Sequence, residues 1–193
     1  MHLVAKRETY EDQGHVKEYT SARLNSKFAF TYGRVEVRAK MPQGVGTWPA
    51  IWMLSKNISE AGAYWQLQGY GTTSWPHCGE IDLLEHWGKN QDFVQSAVHT
   101  TASFGDQVTN LGGKKIANAS TEFHLYALEW SAEKIMFEVD GEALYTYEPA
   151  VRDSTTWPFD SDQYILMNIA IEKDIDPAFE ESAMVVDYIR VYQ

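Results

Sequence analysis

Gly79-Glu80-Ile81-Asp82-Leu83-Leu84-Glu85 sets three carboxylates at i, i+2 and i+5. On a helix, at about 100° per residue, they would point to about 0°, 200° and 140° and share no face. On a regular strand Glu80 and Asp82 share one face and Glu85 falls on the other. One extra residue, a β-bulge at Leu83-Leu84, restores the parity and brings all three acids to one surface. The segment therefore reads as a bulged strand.

Outward from it the periodicity stays that of strands. Arg34-Val35-Glu36-Val37-Arg38-Ala39-Lys40 alternates charged and apolar residues, which suits a half-exposed strand. Asp140-Gly141 between apolar runs signals a tight hairpin. Runs rich in β-branched and aromatic residues cover 94–99, 123–130, 164–171 and 184–192. Several are apolar on both parities, as inner strands of packed sheets are. Gly112, Gly113 and other glycines and prolines read as punctuation between strands. Helical patterns are scarce. The fold class is all-β, an antiparallel β-sandwich of jelly-roll type, with residues 1–193 as one domain.

The 193 residues carry a net charge of −11, which disfavours nucleic acid and anionic membrane surfaces as partners. No apolar stretch reaches the roughly 20 residues of a membrane helix. Seven Trp, 11 Tyr and 8 Phe fill a core, and they also suit a cleft in which sugar C–H faces stack on flat rings. Cys78 is the sole cysteine and reads as a small buried filler, because no local base would activate its thiol.

A row of acids on one strand suits glycoside chemistry. After the bulge about four rises of ~3.3 Å separate Glu80 from Glu85, or about 13 Å between Cα atoms. Long side chains leaning together on a curved sheet can close this to the roughly 5–5.5 Å that a nucleophile and an acid/base need around a glycosidic bond. Asp82 between them would raise a neighbouring carboxyl or brace the nucleophile. Two blander readings stay open on the bare pattern. A solvated acidic strand fits Glu80 and Asp82 but not the Gly79 hinge or the flanking Trp75 and Trp87. A calcium site would recruit carbonyls and Asn/Asp-rich loops, which are thin here.

The motif resembles the active-site strand of glycoside hydrolase family 16, in the form with two residues between Asp82 and Glu85 that looks like the laminarinase branch. Tyr19-Thr20-Ser21-Ala22-Arg23-Leu24, Tyr32-Gly33-Arg34-Val35-Glu36-Val37-Arg38-Ala39-Lys40, Gly46-Thr47-Trp48-Pro49-Ala50-Ile51-Trp52-Met53-Leu54 and Val186-Asp187-Tyr188-Ile189-Arg190-Val191-Tyr192 resemble family signatures in family order. The resemblance implies Glu80 as nucleophile, Asp82 as assisting carboxylate and Glu85 as general acid/base. It also implies an endo-acting, retaining β-glucanase for β-1,3 or mixed-linkage β-glucan, secreted because its substrates are polymers. Glu36 and Arg38 match charged positions near the glycone subsites. Trp48 and Trp52, which share a strand face, look like cleft-lining rings, and Trp75 resembles a ring beneath the sugar at the cleavage point. His99 matches a position approaching the assisting carboxylate, and Asn168 a polar position on the cleft floor. Asp187 resembles the side-chain ligand of a structural calcium; no cofactor is implied for the chemistry itself. A jelly-roll protein that holds glucan without cutting it and an incomplete enzyme fragment are the rival readings, and the intact acid triad argues against the first.

Two departures stand out. Ile171-Glu172-Lys173-Asp174-Ile175-Asp176-Pro177 replaces a Gly-rich turn common among laminarinases. By the same resemblance, the segment that precedes Leu3-Val4-Ala5-Lys6 in family domains is expected to be absent. In relatives it supplies outer strands and part of the calcium site. Sheet edges left open in this way are expected to invite association.

Overall fold

A computed structural model describes residues 1–193. Thirteen strands follow one another: β1 His2–Asp12, β2 His15–Thr20, β3 Arg23–Phe30, β4 Gly33–Lys40, β5 Thr47–Ser55, β6 Glu80–His86, β7 Phe93–His99, β8 Leu111–Lys115, β9 His124–Trp130, β10 Ile135–Val139, β11 Glu142–Tyr147, β12 Gln163–Ile171 and β13 Glu181–Tyr192. The single short α-helix, α1, spans Tyr64–Leu67. No helix is long and apolar enough to cross a membrane.

The strands form two antiparallel sheets, one of seven strands ordered β11-β10-β9-β4-β13-β1-β2 and one of six ordered β3-β12-β5-β6-β7-β8. Strict alternation explains why they stack. From the seven-stranded sheet Val35, Val37, Tyr126, Leu128, Phe137 and Met184 point inward, and from the six-stranded sheet Ile51, Met53, Val94, Val98, Ile165 and Met167 meet them. These belong to one continuous core of 29 buried residues, the usual centre of a β-sandwich. The outer face of the six-stranded sheet carries a small second core of Leu54, Cys78, Tyr164 and Leu166, beside the cleft described below.

The hairpin at Asp140-Gly141 forms as expected, both residues holding positive φ (53° and 80°) between β10 and β11. That pairing of angles matches the right-handed twist of the flanking strands. Gly112 and Gly113, by contrast, do not separate strands; they lie inside β8. A Cβ on Gly112 would come within 2.8 Å of the Tyr145 side chain, and one on Gly113 within 2.4 Å of the Phe93 ring. The strand is glycine-rich because neighbouring aromatics occupy the space its side chains would need.

Candidate active site

The acidic strand β6 is bulged where the spacing requires it. Trp52 of β5 faces Asp82 and Ile51 faces Leu84, so Leu83 has no partner on that side. On the other side Ala97 of β7 faces Asp82 and Gln95 faces Glu85, leaving one residue of β7 opposite two of β6. Both leucines turn into the core, and Glu85 returns to the face that carries Glu80 and Asp82. At the head of the strand Gly79 has φ +73°, and a Cβ there would meet the Phe159 ring at 2.6 Å. Only glycine fits that entry.

Together with Trp48, Ala50, Trp52, Asn168 and Ala170 the three acids line a concavity of about 180 Å³. Glu80 and Glu85 each have their own donor, and Asp82 faces His99. Trp75 Nε1 donates to Glu80 Oε2 at 2.8 Å, and Trp48 Nε1 to Glu85 Oε1 at 3.1 Å. Gln95 Nε2 lies 3.4 Å from Glu85 Oε2. His99 Nε2 lies 3.1 Å from Asp82 Oδ2 and 3.8 Å from Glu80 Oε1. The Gly105 N–H donates to His99 Nδ1 at 3.1 Å, so a neutral imidazole carries its proton on Nε2, facing Asp82. Trp52 Nε1 donates to Asn168 Oδ1 at 2.8 Å, which fixes that ring on the cleft floor.

Burial, then the charge of Asp82, raises the Glu80 carboxyl to about 8, while His99 and the Trp75 N–H pull it down. Asp82 is pushed well up by burial and by the charge of Glu85, and Glu85 is pushed up by burial. Desolvation thus keeps protons on this cluster at pH values where free carboxylates have lost them. Such a site can hold an acid and a base of the same residue type side by side.

A family model described as Glycosyl hydrolases family 16 matches residues 4–190. The chain belongs to glycosyl hydrolase family 16. It is 42% identical to a beta-glucanase of Rhodothermus marinus over 206 aligned residues, covering 99% of this chain and 67% of that protein. It is 37% identical to a keratan-sulfate endo-1,4-beta-galactosidase of Sphingobacterium multivorum, covering 86% of this chain and 38% of the relative. Among solved structures, LamA of Z. galactanivorans in complex with laminaritriose and laminaritetraose superposes with a TM-score of 0.89 at 42% identity, covering 100% of this chain and 77% of that one. Family membership makes the chain a glycoside hydrolase with a jelly-roll sandwich.

Within this family 16 cleft the structure gathers Glu80, Asp82, Glu85, Trp48, Trp52, Trp75, His99 and Asn168. Glu36 and Arg38 lie elsewhere. They are on β4 of the opposite sheet, where Val35, Val37 and Ala39 fill the core and the even-numbered residues point away from it. Glu36 accepts from Arg34 Nε at 2.9 Å, and Arg38 Nη1 donates to Asp187 Oδ2 at 2.7 Å. They are ion pairs on the outer face, so the expectation of a glycone role is corrected. The charged residue that does reach the cleft is Arg23. Its guanidinium stands 5.4 Å from the centre of the Trp52 ring and is held by Glu60 and Asn25 at 3.1 Å each. Arg23 pairs with Asn168 in the ladder, a contact between residues far apart in sequence.

Asp187, the expected calcium ligand, lies on the outer face of β13, and its half-exposed carboxylate accepts from Arg38 Nη1. The one cluster of three His, Cys, Asp or Glu side chains with ligand atoms within 4.8 Å of one another is Glu80, Asp82 and His99, in the cleft itself. Cys78 is buried, and burial pushes its thiol up to about 12, so it stays protonated and inert.

Keeping acids protonated has a consequence for stability. Unfolding releases Glu80 to its ordinary value of 4.5, so between about 4.5 and about 8 the native state binds more protons than the unfolded one. Stability is therefore full below the lower value and is lost as pH rises through the upper one. Thermal melts are expected to fall between about pH 5 and about pH 8 in the native chain and to fall less in Glu80→Gln. Equal declines in the two proteins would refute this.

Proposed function

We propose that this chain is an endo-acting, retaining β-glucanase that hydrolyses β-1,3 bonds of laminarin-like chains, with mixed-linkage β-1,3-1,4-glucan as a second substrate. The observation that carries the reading is the placement of Glu80, Asp82 and Glu85 on one tryptophan-lined face. The likeness to a laminarinase fold that holds laminaritriose supports the choice of glucan.

Glu80, once ionised, attacks the anomeric carbon while Glu85, still protonated, gives its proton to the departing glycosidic oxygen. The Trp48 and Gln95 N–H groups then meet the carboxylate that Glu85 has become. Glu85 next takes a proton from water, the hydroxide oxygen bonds to the anomeric carbon, and Glu80 leaves as carboxylate. Two inversions give net retention. Asp82, set between them and faced by His99, steadies the nucleophile. A polysaccharide substrate implies work outside the cell.

The test is hydrolysis of laminarin by the purified chain, with product anomers followed by NMR. β-Anomers released first establish the proposal; α-anomers overturn the retaining mechanism. Glucan bound without reducing-sugar release would make the chain a carbohydrate-binding protein instead. Parallel assays on lichenan and on a β-1,4-galactan decide the linkage, the second because one relative is named for galactosidase activity.

A further inference from the structure

The bulge that turns Glu85 into the cleft has a support of its own. Along β7 the residues alternate, Gln95 and Ala97 on the cleft side and Val94, Ser96 and Val98 on the core side. Ser96 is thus a polar residue in a row of apolar core positions, fully buried. A buried hydroxyl without a partner is destabilising, so its bond is the reason it is tolerated. That bond goes to one place: Ser96 Oγ donates to the Leu83 carbonyl at 2.7 Å. Leu83 is the residue that the bulge removes from register with both β5 and β7. Ser96 is also the residue of β7 that stands opposite the extra one, between the Asp82–Ala97 and Glu85–Gln95 pairs.

From this we infer that Ser96 is a positioning residue for the general acid/base, acting through the bulge backbone. By anchoring the Leu83 carbonyl it sets the path of the chain through Leu84, and hence the distance and angle at which Glu85 faces the bond that Glu80 attacks. Ser96 touches no substrate. The inference rests on Glu85 being the acid/base, and the test separates the two claims.

General acid catalysis matters in proportion to how poor the leaving group is. A sugar hydroxyl needs the proton that Glu85 supplies; a dinitrophenolate does not. Ser96→Ala is therefore expected to lower kcat on laminarin by about tenfold, because a misplaced acid still works but works poorly. KM should change by less than about twofold, since the cleft wall is untouched. On 2,4-dinitrophenyl β-laminaribioside, glycosylation of Glu80 should stay within about twofold of the native rate. A merely structural role would slow both substrates together, and that result overturns the inference. So does an unchanged rate on laminarin. Ser96→Cys keeps the shape but donates weakly, and it serves if the alanine variant does not fold, with the same substrate selectivity expected. Glu85→Ala is run beside them. If it spares the activated substrate and Ser96→Ala does not, positioning by Ser96 fails while the acid/base assignment stands. If Glu85→Ala slows both substrates equally, the acid/base assignment itself falls.

Discussion

Glu80→Gln leaves a folded protein with hydrolysis of laminarin reduced at least about a thousandfold, because an amide cannot form the glycosyl ester on which double displacement depends. The substitution is nearly isosteric, and the amide oxygen can still accept from Trp75 Nε1. It also removes a carboxyl that burial opposes, so the variant should melt higher than the native chain at about pH 8. The pairing of the two results is the informative part. Activity lost with stability gained identifies a group held against its own solvation for the sake of chemistry. Activity lost with stability also lost would make Glu80 a structural acid, and normal turnover would remove it from the mechanism. Initial rates on laminarin and calorimetric melts of the same samples decide the matter.

Deletion of Leu83 is the second large effect, and it acts on stability rather than on orientation. Without the extra residue β6 becomes a regular strand with Glu80, Asp82 and Glu85 at i, i+2 and i+4, so alternation keeps all three acids on the cleft face. What is lost is one of two buried leucines, at a cost of roughly 2–5 kcal/mol, together with the carbonyl that Ser96 serves. The expected outcome is a melting temperature lower by about 10 °C, with hydrolysis reduced but retained. A folded deletion variant with no detectable hydrolysis would show that parity alone does not place the acid.

Much of this was readable in advance, and the reasons differ from residue to residue. Carboxylate spacing predicts the bulge because side-chain parity is a local property that one insertion changes in a definite way. The same alternation correctly turns Glu36 and Arg38 away from the core. What it does not reveal is which of the two sheets β4 joins, and so which outer face they decorate. Sheet membership is fixed by pairing with β9 and β13, more than 80 residues downstream in sequence. Arg23 was missed for the complementary reason. It stands within a quoted signature, but its cleft position depends on β3 pairing with β12. Gly112 and Gly113 misled because their small size answers Tyr145 and Phe93 rather than a turn. The hairpin of β1 and β2 also went unread, with Gln13 and Gly14 at its tip in the left-handed region and few apolar residues to mark the strands.

The catalytic strand is bonded to β5 on one side and β7 on the other, and β12 and β8 lie beyond these. Its amides bond alternately to the two flanks, so the full set exchanges with solvent only when both ladders open, and β6 is expected among the slowest-opening parts of the molecule. The acids therefore have no private route to disorder: on heating, the nucleophile and the acid keep their geometry until the sheet itself gives way. Catalytic competence and global folding end in the same event.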